Sequence, residues 1–145
     1  MKLLGLALLM AALGLGAAGC GGDDAETISK EDFLTQANQI CREAQDATDA
    51  AFEEQFPGEP SDAEIETFWN ETARPNVENQ VEEIRALGAP EGDEEQIDEL
   101  LAAVEDGLEG TQEAVDAGTV GEGPDPFAEA DRLSADYGLT DCGDF

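Results

Sequence analysis

Apolar residues return every three or four positions along most of the chain, while strict alternation is almost absent, so the pattern predicts helices rather than strands. Phe33, Ala37, Ile40, Cys41, Ala44, Thr48, Ala51 and Phe52 share one face of a helix spanning roughly 30–55. Ser29 and Asp32 supply a capping-box-like start, with Asp in the Glu place. Phe56-Pro57-Gly58-Glu59-Pro60 stops it. Ser61 and Glu64 give a second capping-box signature, followed by Ile65, Phe68, Trp69 and Thr72 on an inner face. Val77, Val81, Ile84 and Leu87 resume that face beyond Pro75. Proline lacks a backbone donor and crowds the preceding turn. A kink or break is therefore expected near Arg74, with Pro75 opening a new helical segment.

Asp93 to Gln96 offers the next cap, and Ile97, Leu100, Leu101, Val104, Leu108 and Val115 form a third stripe. Gly107 and Gly110 weaken that helix by about 1 kcal/mol each relative to alanine. Gly118 ends it, and a Gly/Pro-rich loop leads to Asp125 as N-cap with Pro126 at the first helical position. A short last helix then runs to about Tyr137, with Gly138 as its stop. Four helices on short connections predict an all-α, antiparallel bundle-like domain over 29–145.

The N-terminus has another pattern. Lys2 precedes an apolar stretch to about Ala18, and Ala17-Ala18-Gly19 place small side chains before Cys20. This reads as a lipoprotein signal peptide over 1–19, although Ala17 stands where Leu is preferred. Cys20 is the expected lipidation site, and 20–28 the lipid-anchored flexible tether. Two or three acyl chains would hold it stably in the bilayer. The alternatives are an ordinary secretory signal with Cys20 incidental, or an uncleaved anchor. The run is short of the roughly 20 apolar residues of a spanning helix. The expected location is the extracytoplasmic side of the cell membrane.

Lipidation of Cys20 leaves Cys41 and Cys142, an even pair in an oxidising compartment, so a disulfide is expected to close the bundle. The alternative is a buried thiol at Cys41 and a loose tail at Cys142. Without Lys2 the chain has five basic residues, Lys30, Arg42, Arg74, Arg85 and Arg132, against 36 acidic ones. Such a balance argues against nucleic acid as a partner and against lying flat on anionic lipid. It leaves envelope proteins or cations as partners, or a merely solubilising acidic shell.

Histidine is absent from the sequence, which removes Ser-His-Asp and Cys-His catalysis and the usual zinc, copper and haem ligand sets. No phosphate-binding or dinucleotide fingerprint occurs, and the cysteines lack CxxC spacing. The acidic turns Glu91–Glu95 and Gly121–Asp125 do not follow the EF-hand order. No cofactor, metal ligand or catalytic residue is assigned, and an enzyme is not expected. Phe68 and Trp69, adjacent on one helix, point about 100° apart, so only one can sit deep in the core. Trp69 is the candidate contact residue, with core or boundary packing as the alternative.

Ile28-Ser29-Lys30 with Phe33, Ala37 with Ile40-Cys41, and Tyr137-Gly138-Leu139 with Cys142-Gly143 together resemble small helical lipoproteins of actinobacteria. The resemblance implies export, lipid anchoring and a helical domain with Cys41 paired to Cys142, and it implies no activity. The expected role is a non-enzymatic envelope interaction or accessory module, with a small-ligand- or cation-binding lipoprotein as the alternative. A pocket near Trp69 and Pro75 would favour the latter.

Overall fold

The computed structural model describes residues 27–143. The apolar leader, Cys20 and all but the last two residues of the 20–28 tether lie outside the described residues. Helix α1 is Lys30–Gln55 and α2 is Asp62–Phe68; a π-helical turn, Trp69–Ala73, joins α2 to α3, Arg74–Leu87. Helices α4, Glu94–Ala117, and α5, Ala128–Tyr137, complete the domain, and no strand occurs among the described residues. Because α2, the π-turn and α3 follow one another without a gap, the domain consists of four helical elements.

Side-chain pairs fix the directions. Gln80 reaches Cys41 while Asn76, one turn earlier on α3, reaches Ala44 and Thr48 further along α1. Arg74 bonds Gln112 and Arg85 bonds Glu105, which runs α3 against α4 in the same way. The last residue of α5, Tyr137, returns to Asp93 at the start of α4. Successive elements are thus antiparallel.

The core lies where the stripes meet. Phe33, Leu100, Leu101, Val104 and Leu139 are almost wholly removed from solvent, each contributing about 1.5–3 kcal/mol of hydrophobic stabilisation before entropic costs. Only the first half of the α1 stripe is buried: Phe33, Ala37 and Cys41. Further along, Phe52 is partly exposed and joins Phe56 and Phe68 in a cluster of edge-on rings 5.0 to 5.7 Å apart.

Pro75 produces neither a gap nor a loop. The helix widens before it instead, the Arg74 N–H donating to the carbonyl of Trp69 five residues back. Proline has no N–H of its own to place, and a widened turn is a common way to accommodate such a defect. The start of α5 also differs from the sequence expectation. The Asp125 carboxylate accepts from the Phe127 N–H at 3.0 Å, closing a turn, so Pro126 and Phe127 are not yet helical. An Asp that bonds two residues ahead stabilises a turn in competition with a helix start.

The chain end is locked by several contacts. Leu139 N–H donates to the Ser134 carbonyl at 2.8 Å, a Schellman-type closure around Gly138. Asn38 accepts from the Asp141 N–H at 2.9 Å. The Cys41–Cys142 disulfide, with Cα atoms 5.1 Å apart, covalently ties this segment to α1. No helix of the described residues is long and apolar enough to cross a membrane.

Candidate functional site

The disulfide forms one wall of a groove of about 230 Å³ bounded by α1, the π-turn, α3 and the C-terminal segment. The π-turn supplies Trp69 and Ala73, α3 supplies Asn76 and Gln80, and α1 supplies Thr48 and Asp49. Trp69 and Phe68 divide as adjacent helical residues must: Phe68 is buried, and Trp69 sits half-buried at the groove wall. The indole N–H donates to Gln112 Oε1 at 3.0 Å, which is also held by Arg74 at 3.0 Å. With its one donor engaged there, Trp69 offers the groove only ring surface.

Two of the three amides that line this groove, Asn76 and Gln80, are anchored to α1. Asn76 Nδ2 donates to the Ala44 carbonyl and to Thr48 Oγ1, both at 2.6 Å. Gln80 is 5% exposed, and its Nε2 lies 2.9 Å from Cys41 Sγ. Both nitrogens are therefore committed to α1. Neither amide carbonyl oxygen has a donor among the described residues. Asp49 likewise has no cationic partner among them, whereas Asp141 is paired with Arg42. What the groove presents is these acceptor oxygens and the amide of Gln45 against an aromatic and disulfide wall. Asn76 and Gln80 were not singled out in the sequence. The available signal was their spacing of four beside Val77 and Val81, which places two amides at the margin of a buried face.

A second recess, about 530 Å³, lies between the start of α2 and the end of α4 and is lined by Ile65, Val115 and Val120 with Asp62 and Glu66. It contains no buried polar side chain.

At the end of the bundle where α1 begins, Asp93 accepts from Tyr137 Oη at 2.7 Å and pairs with Lys30 at 3.1 Å. Lys30 Nζ also lies 4.0 Å from the Tyr137 ring centroid. The Tyr137 and Lys30 hydrogen bonds hold the Asp93 carboxyl below its ordinary range. Burial and the Asp93 bond push the Tyr137 phenol well above its own. In the acidic turn 91–95, Glu94 accepts from the Gly92 N–H, so two of its carboxylates serve internal contacts. No group of three or more His, Cys, Asp or Glu is placed to hold a metal among the described residues.

All five basic side chains of the described residues are in ion pairs: Lys30 with Asp93, Arg42 with Asp141, Arg74 with Glu78, Arg85 with Glu105, and Arg132 with Glu129 and Asp136. On α4 the exposed positions include Glu95, Asp98, Glu99, Asp106, Glu109 and Glu113, none with a cationic partner. The class defined by fold and site is an all-α, disulfide-closed domain with a carboxylate exterior and a small acceptor-lined groove. Comparison with known proteins finds no family model, no curated protein and no solved structure that matches this chain.

Proposed function

We propose that the protein is a lipoprotein anchored through an acylated Cys20 on the extracytoplasmic side of the cell membrane. There it acts as a non-enzymatic envelope interaction module whose acidic surface meets a basic partner. The observation that carries the reading is the pairing of every cation among the described residues. Each Lys and Arg of the described residues is neutralised by a carboxylate on its own helix or on a neighbouring segment, so a partner meets uncompensated carboxylates. Such a surface steers association more than it sets affinity. The Cys41–Cys142 bond supports an oxidising compartment.

Two experiments test this. Cys20→Ala should move the protein from the detergent phase to the aqueous phase, and unchanged partitioning would reject the anchor. Crosslinking in native membranes should capture a basic envelope protein that is lost on combining Glu99→Lys, Asp106→Lys and Glu113→Lys on α4. A capture profile indifferent to these charge reversals would reject the interaction module. The second reading, a small-ligand-binding lipoprotein, is favoured by the groove beside Trp69 and the Pro75 π-turn.

A further inference from the structure

We propose that the groove beside the Cys41–Cys142 bond binds a small primary ammonium compound. This rests on the ligand-binding reading and names the chemical class of the ligand. The buried Gln80 is the central observation. Its nitrogen is fixed on Cys41, which leaves the carbonyl oxygen of this 5% exposed side chain without a protein donor at the groove wall. That oxygen is not among the buried atoms left without a partner, so it is reached through the groove, where a ligand donor would take the place of water.

The other lining groups select the donor. Asn76 Oδ1 has no donor among the described residues, both bonds of that amide being donated by its nitrogen. Asp49 brings an unpaired negative charge at the rim. A primary ammonium carries three N–H donors and one positive charge, which suits two carbonyl oxygens and a carboxylate. The Trp69 ring surface adds a cation–π partner or an apolar wall for a short alkyl chain. Arg42 is held on Asp141, so that nearest guanidinium is already neutralised. A neutral alcohol lacks both the charge and the donor count, and an anion would meet the Asp49 carboxylate at the rim. The volume of 230 Å³ lies below the roughly 300–1,000 Å³ of drug-sized sites, so the ligand is small. The π-turn supplies Trp69 and Ala73 to the groove beside Asn76. Such turns recur at functional sites.

Trp69 is the single tryptophan of the chain and reports directly on the groove. The full lipidated protein in detergent micelles is titrated with n-butylammonium, n-butanol and calcium chloride. Salt is kept at about 0.15 M, where a Debye length of about 8 Å screens the distant carboxylates. The expected result is a saturable, one-site change in Trp69 fluorescence with n-butylammonium. Asp49→Asn and Gln80→Leu should each weaken it roughly tenfold, the scale of a hydrogen bond to a charged group, while Glu99→Gln on α4 leaves it unchanged. Asp49 is exposed, so its variant keeps the test valid should Gln80→Leu fail to fold. If n-butanol matches n-butylammonium, the ammonium assignment falls and the small-ligand reading survives. Equal weakening by Glu99→Gln, or the same response to calcium, also overturns the assignment. Silence of Trp69 toward every probe removes the inference and the ligand reading together.

Discussion

The ring of Phe127 rests on the bare Cα of Gly107: a Cβ at that glycine would stand 2.3 Å from the ring's Cδ1. One helical turn on, a Cβ at Gly110 would meet Pro126 Cβ at 3.1 Å. These glycines, which weaken α4 as an isolated helix, are what allow the Pro126–Phe127 corner to pack against it. Gly107→Ala should therefore destabilise the domain by about 1–3 kcal/mol, the cost of overpacking, despite a helix-propensity gain of about 1 kcal/mol. Urea unfolding of Gly107→Ala with and without Phe127→Ala checks this. In the Phe127→Ala background the same substitution should become neutral or stabilising.

Ser134 is fully buried, and its hydroxyl has no hydrogen-bond partner among the described residues. Removing such a group also removes its desolvation penalty of about 1–3 kcal/mol. Ser134→Ala should leave the urea midpoint unchanged or raise it. A clear fall would show that the hydroxyl is satisfied in solution.

The Cys41–Cys142 bond closes a loop with a sequence separation of 101. Chain entropy predicts a loss of roughly 4–5 kcal/mol when so long a closure is opened, with measured losses often nearer 2. Unfolding of the Cys41→Ala/Cys142→Ala double variant should show that fall. An unaltered midpoint would mean that Leu139 and the Asn38 clip hold the tail unaided.

Tyr137 is the only tyrosine, so phenolate absorbance titrates it alone. Burial and the Asp93 bond favour the neutral phenol in the folded state. Ionisation should begin well above the ordinary value of 10.0, shifting back toward it in urea. Because the folded protein holds this proton more tightly, the associated stability is full below the unfolded pKa and is lost as pH rises through the folded one.

Asp93 has the opposite linkage. Its pKa is lowered by the Tyr137 and Lys30 bonds, so its contribution is present above the ordinary value of 3.8 and is lost as pH falls through the folded value. Asp93→Asn should be less stable than the parent at neutral pH, and the gap should narrow on acidification below that range. A gap independent of pH would place the effect in packing rather than charge.

The helical course of this chain was legible because its periodicity is strong and its stops are explicit. The α4 stripe from Ile97 to Val115 is buried as its spacing requires, and Gly118 and Gly138 end helices in the left-handed conformation. Three features were not legible. Pro75 announces a defect, but whether the chain breaks or widens depends on α1 and α4 packing to either side. Asp125 has the chemistry of a helix cap and of a turn alike, and the turn is favoured because Phe127 must reach Gly107. The groove was readable only in part. Trp69 is conspicuous in the sequence, while Asn76 and Gln80 look like ordinary surface amides until α1 covers their nitrogens.

Lys30, Asp93 and Tyr137 mark the end of the bundle at which the chain enters, and Phe52, Phe56 and Phe68 mark the other. Between them α1 runs 26 residues, about 39 Å at 1.5 Å per residue. For a chain held at Cys20, as proposed, the length of α1 sets the greatest height the other end can reach. With α1 upright, the aromatic tip would stand some 40 Å from the entry point, about five Debye lengths at physiological salt. At that reach the bilayer's own charge would be largely screened, and the length of α1 would bound which neighbours the tip can meet.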